Sequence, residues 1–194
     1  VGKNLLLSSN VVLTRKAGIE LIGQYEHGEK GTSTELIDYT LTFSLSKEPK
    51  SVSNNTLLLS LDNTTVIPFE EKITPTNKKN VIHTVRFKST NNFLNVVFKE
   101  QPASTKSLAI VHWAVLSKGI ALPVTDWFES PFDIDKKFIT SSAALTEYKE
   151  TMATENAAMS LRIDQNKTGL ETTDKRVTSE ITQVNQTITT LESS

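Results

Sequence analysis

The sequence predicts a mainly β protein: an antiparallel β-sandwich of jelly-roll type, followed by a C-terminal α-helical coiled-coil stalk. Three observations predict it. Ile163, Leu170, Val177, Val184 and Leu191 stand seven residues apart and, with Ile181 and Ile188, form a heptad seam. Upstream of Asp133 the chain changes to short β-rich runs broken by Asn, Gly, Pro and Ser. No stretch between those runs carries a helical period long enough for a βαβ unit.

The β runs follow one another with turn signals between them. Asn4 to Ser8 holds a leucine run, and Ile19 to Tyr25 is closed by His27-Gly28-Glu29-Lys30-Gly31. Tyr39 to Ser46 alternates strictly, which puts Tyr39, Leu41, Phe43 and Leu45 on one sheet face. Thr56 to Leu61 ends at the polar pair Asp62-Asn63, and Val66 to Ile73 is weakened by Pro68, which points to an edge or a bulge. His83 to Lys88 alternates with Val85 and Phe87 inward, Phe93 to Phe98 follows the Asn91-Asn92 turn, and Leu108 to Leu116 is the most apolar run and the expected central strand. Such a series of short strands reads as a sandwich or jelly roll.

The division expected is a β domain over residues 1–132, a junction over 133–141 and a truncated stalk over 142–194. Pro131 is read as the end of helix continuity, with Thr140, Ser141 or Ser142 supplying the N-cap oxygen. From Ser142 a continuous helix would span roughly 80 Å. Leu145, Met152 and Met159 keep the seven-residue step, and Ile163 follows Met159 by four, a stutter. Lys167 and Asp174 occupy seam positions, and Gly169 costs about 1 kcal/mol of helix stability relative to Ala. The stalk is therefore expected to be weak at Lys167–Asp174 and firm from Val177. Ile181 with Ile188, and Val184 with Leu191, place β-branched residues on both sides of the seam, which favours a homo-trimer.

Composition narrows the function classes. Residues 1–132 carry 14 Lys/Arg against 12 Asp/Glu, and residues 133–194 carry 7 against 10, so neither half calls for nucleic acid or an acidic membrane. With no cysteine, disulfides, thiolate metal sites and cysteine catalysis are excluded. No apolar run is long enough to insert in a membrane. Val1-Gly2-Lys3-Asn4 has neither initiator Met nor signal peptide, and both ends read as cuts within a longer protein.

Chemistry-bearing constellations are few. His27, His83 and His112 lie on separate β segments without metal-ligand spacing. Asp126, Glu129, Asp133 and Asp135 could meet a hard cation such as Ca2+, but they do not match an EF-hand and read as a solvated acidic connector. No nucleophile elbow, Walker A or dinucleotide fingerprint occurs, so no cofactor and no enzymatic activity are expected. Asn54, Asn63, Asn166 and Asn185 begin glycosylation sequons that an Asn/Thr-rich chain produces by chance. Sugar binding needs flat apolar rings beside polar groups, and Tyr25, His27 and Trp113 are the candidates. Tyr25, beside a Gly-rich loop, is the ring expected at the surface. Trp113 reads first as core, and Trp127 as a latch where the chain leaves the sandwich.

Gly2-Lys3-Asn4-Leu5-Leu6 is similar to the opening of accessory modules in tailed-bacteriophage tail fibres and tail-tip proteins. Tyr39-Thr40-Leu41-Thr42-Phe43-Ser44 resembles an early strand of those carbohydrate-binding-like jelly rolls. His112-Trp113-Ala114-Val115-Leu116-Ser117-Lys118-Gly119 resembles their final strand, and Thr125-Asp126-Trp127-Phe128-Glu129-Ser130-Pro131 their exit. Ser117 stands where an acidic residue is frequent, and the stretch Gly119 to Trp127 is slightly extended. The resemblance covers about residues 2–135. It implies a virion component of a phage tail, partnered by its own copies, by other tail proteins and by a host surface glycan or receptor. A glycan-binding module for bacterial polysaccharide is the alternative, and a glycan-degrading fragment the second alternative.

Overall fold

The computed structural model describes residues 2–50, 55–69, 71–103, 106–121 and 124–194. Asn54, Glu70 in the Val66 to Ile73 run, and Leu122-Pro123 of the exit stretch lie outside the described residues. The chain divides into two compact units, Val1–Phe138 and Ile139–Ser194.

Among the described residues of the first unit, eight strands form two four-stranded antiparallel sheets: β1 Leu13–Thr14, β2 Leu21–Glu26, β3 Ile37–Lys47, β4 Thr56–Leu61, β5 Thr65–Val66, β6 Val81–Ser89, β7 Asn95–Gln101 and β8 Ala109–Lys118. Sheet one has the order β1-β8-β3-β6 and sheet two β2-β7-β4-β5. Apart from the β4–β5 hairpin, consecutive strands lie in opposite sheets, which is the jelly-roll way of closing a sandwich. β8 is interior, as its apolar run predicts. Tyr39, Leu41, Phe43 and Leu45 all point into the core with Val85 and Phe87. Tyr39 stacks on Phe87 at 5.4 Å, and Phe43 meets Phe98 edge-on at the same distance.

Two strand expectations change. The Asn4 to Ser8 run forms a single bridge, Leu6 to His27, and is held by isolated backbone bonds, Leu5 N to Leu116 O and Leu7 N to Glu26 O. Leu13–Thr14 supplies the edge strand of sheet one in its place. The Val66 to Ile73 run gives only β5. Ile67 N still donates to Leu59 O, but Pro68 has no N–H to extend the ladder.

The helix begins at Pro131 and runs to Glu192 over 62 residues, so a start near Ser142 is corrected. Pro131 does not block it; it occupies the first helical position, where its missing N–H is not needed. Ser130 is the N-cap: its Oγ accepts from Phe132 N, and its carbonyl accepts from Asp133 N and Ile134 N. This first turn is fastened to the sandwich. Asp133 accepts from Ser8 N at 2.7 Å, Phe132 packs on the core, and Lys3 Nζ sits 5.1 Å from the Phe132 ring centroid.

In the second unit the helix continues without a break through Asn166, Lys167 and Gly169. None of its residues is buried.

Candidate functional site

Tyr25 is only 3% exposed. Its ring meets Phe98 edge-on, its hydroxyl donates to Val11 O at 2.6 Å, and burial holds its pKa above the usual tyrosine range. The surface position expected for it is thus corrected: β2 turns Tyr25 inward after the irregularity between Leu21 and Gly23. His27 is equally enclosed, stacked on Phe93 at 4.4 Å with Nδ1 hydrogen-bonded to Phe93 O. Burial lowers its pKa, opposed by the Phe93 carbonyl and Glu29. Neither ring is available to stack on a sugar.

Trp113 moves the other way. It lies on the outward side of sheet one and is half-buried, because β8 carries a bulge. Ser44 pairs with Trp113 and Leu45 with Val111, which leaves His112 as the extra residue. Val111 and Ala114 stay in the core while His112 and Trp113 share the outer face. Ser46 Oγ lies 2.7 Å from His112 Nε2. Periodicity alone could not show the bulge, which is why Trp113 read as core.

Trp127 does fasten the exit segment: Nε1 donates to Ser9 Oγ at 3.0 Å. Beside it, Asn4 fills its whole hydrogen-bonding capacity. Nδ2 donates to Ser9 Oγ and Phe128 O, and Oδ1 accepts from Leu6 N and Leu116 N. The acidic residues nearby are engaged separately: Asp126 accepts from Trp127 N, Glu129 pairs with Lys137, and Asp133 holds Ser8 N. Among the described residues no group of three His, Cys, Asp or Glu converges as a metal site would require.

A cleft of about 750 Å3 opens beside β6, with Phe69, Glu71 and Ile73 on one wall and His83, Thr84 and Arg86 on the other. Its far wall is pinned at both ends to β4, through Ile67 N to Leu59 O and Leu57 N to Ile73 O. His83, which lines the cleft, stacks on the buried Phe43.

The second candidate surface is the helix stripe. Leu145, Met152, Met159, Ile163, Leu170, Val177, Ile181, Val184, Ile188 and Leu191 are all exposed, from 36% at Met152 to 71% at Leu170. Because the helix starts at Pro131, the stripe also gains residues outside the expected stalk. Phe138 stands seven before Leu145, and Ile134 stands four before Phe138, at the alternate seam spacing.

No protein-family model and no curated protein matches the chain. Among solved structures it is similar to the EclA C-terminal domain, a sugar-binding protein, at 15% identity and a TM-score of 0.41, over 57% of this chain and 79% of that chain. A likeness at that level carries no functional argument.

Proposed function

We propose that this chain is a structural, non-enzymatic component of a tailed-phage tail fibre or tail tip, in which a C-terminal coiled coil trimerises and presents copies of the β-sandwich for host attachment or fibre architecture. The observation that carries the oligomer is the seam, ten apolar side chains at heptad spacing that the single chain leaves in water. A helix of this length gains its stability from packing an apolar face, and here none of the helix's residues is buried. Its composition makes that need sharper. Thr182, Thr187, Thr189 and Thr190 turn their hydroxyls back onto carbonyls four residues earlier, a habit of residues that are weak helix formers. Copies of the same chain are the fitting occupant, because β-branched residues on both sides of the seam favour a three-stranded self-complementary coil.

The phage assignment rests on the order of the resembling motifs in the sequence. The opening, the final strand and the exit converge on Asn4, which bonds Leu116 N and Phe128 O at once. The opening, more than a hundred residues before the other two motifs, thus joins them in one structural closure. Sedimentation equilibrium of the full chain at micromolar concentration tests the assembly. A trimer is expected, and a monomer across that range overturns the proposal.

Glycan binding is the second reading, favoured by Trp113, a ring that the bulge turns to the outside of the sheet. An aromatic ring beside hydroxyls and an imidazole offers a stacking face and directional hydrogen bonds. Binding of bacterial surface oligosaccharides by the wild-type chain tests it.

A further inference from the structure

We propose that the open edge of β6 takes up an extended segment of a partner protein as an added strand, one in which apolar side chains alternate with acidic ones. β6 ends sheet one: its ladder runs to β3 alone, and among the described residues none of its backbone groups bonds on the other side. It is 9 residues long and carries no proline, so every second N–H and C=O along it points away from the sheet. Such an edge is a template for another strand.

The cleft of about 750 Å3 lies along this edge, because His83, Thr84, Val85 and Arg86 all line it. Successive side chains of a strand point to opposite faces, so a cleft that meets four in a row meets the strand from its side. An extended chain placed there runs beside these residues for roughly 13 Å. The facing segment does not fill the edge itself, since its backbone is tied to β4 through Ile67 N to Leu59 O and Leu57 N to Ile73 O. Phe69 and Ile73 of that segment line the cleft and pack against the core that holds Val85. Inward side chains of an added strand meet this apolar wall, which selects apolar residues at every second position.

Charge selects the other positions. β6 carries His83, Arg86 and Lys88 and no acid, and Lys78 and Lys79 precede it. Pairing with β6 of a second copy would set two basic strands side by side, which like charges disfavour. Arg86 and Lys88 are exposed on the side opposite the buried Val85 and Phe87. Nη2 of Arg86 donates to Ala121 O, which steadies the guanidinium, while Lys88 reaches Asp38 only at 3.8 Å. Acidic side chains on the outward side of an added strand form cross-strand pairs with both. Glu71, on the facing wall of the cleft, repels an acid placed inward, so the apolar and acidic positions are not interchangeable.

The test is an array of immobilised octapeptides in which Val, Ile or Phe alternates with Glu, Lys or Ser, probed with the full chain. Glu peptides should bind, and Lys peptides should bind about tenfold more weakly. R86E should reverse that order and F69A should weaken binding about tenfold, each variant being checked for its fold by circular dichroism. N-methylation of the best peptide tests the strand pairing itself and requires no variant to fold. Methyl groups on one alternate set of amides should abolish binding and those on the other set should leave it intact, because an added strand pairs through one edge. Equal effects of the two sets overturn strand addition, and equal binding of Glu and Lys peptides overturns the acidic preference. A change of oligomeric mass in R86E assigns the edge to a second copy and overturns the partner. Silence across the array overturns the proposal as a whole.

Discussion

Arg15 Nη1 lies 3.0 Å from Glu100 Oε1, and both side chains are fully buried. The pair fastens loops of both sheets. Arg15 also donates to Ile19 O, Ser107 O and Ala103 O, while Glu100 accepts from Ser107 Oγ and Ala109 N. Burying two charges is costly, and here the surrounding hydrogen bonds offset it. Removing one partner strands the other charge, so Glu100→Ala should destabilise by about 3–5 kcal/mol in urea unfolding. The double substitution Arg15→Met with Glu100→Leu should recover much of that loss. A loss under about 1 kcal/mol in the single variant would show that the pair contributes little.

Asn4 should matter in proportion to the four bonds it satisfies. Asn4→Ala leaves buried groups of Leu6, Ser9, Leu116 and Phe128 short of a partner, at a cost of about 2–4 kcal/mol. Urea unfolding followed by tryptophan fluorescence measures it. Wild-type stability in this variant would remove Asn4 as the closure of the sandwich.

The sandwich should weaken in mild acid. Burial lowers the pKa of His83, and it lowers that of His27 against the opposing Phe93 carbonyl, Glu29 and Asp62, with Lys118 acting in the same direction as burial. With Nδ1 donating to Phe93 O, protonation would place an N–H on His27 Nε2, which is buried without a partner. The unfolded chain therefore takes up these protons first. Stability is fully present above the unfolded histidine value of about 6.5 and falls as pH drops below it toward the folded values, by up to about 1.4 kcal/mol per pH unit for each histidine. Unfolding midpoints between pH 7.5 and 5.5 should show the decline, and His27→Leu should flatten it. A slope unchanged in that variant would assign the effect elsewhere.

Two substitutions should move the assembly in opposite directions. Ile181→Asp puts a charge in the firm part of the seam and should shift the trimer to monomer in sedimentation equilibrium. Lys167→Ile with Asp174→Ile replaces two charged seam positions by apolar ones and should raise the melting temperature of the helical circular dichroism signal. If neither variant changes mass or melting, the stripe is not the oligomer interface.

Much of the molecule was legible in advance because it is periodic. The alternation in Tyr39 to Ser46 fixes which face of β3 is core, and the same alternation already sets Thr40, Thr42, Ser44 and Ser46 on the other side. The seven-residue step from Leu145 onward defines a helix face without reference to any other segment. What failed was where one residue breaks a period or stands at a boundary. The bulge at His112 turns Trp113 outward, and the irregularity in β2 turns Tyr25 inward. Pro131 reads as a stop or a start depending on whether Ser130 caps it.

By itself the sequence determined the two kinds of element, their order, the core face of the long strands and the seam, since each follows from local spacing. Only the tertiary structure decided the strand order, the Arg15–Glu100 pair and the closure at Asn4. The physical reason is that these depend on residues brought together across sheets, 85 positions apart for Arg15 and Glu100 and 124 for Asn4 and Phe128, where no sequence period reaches.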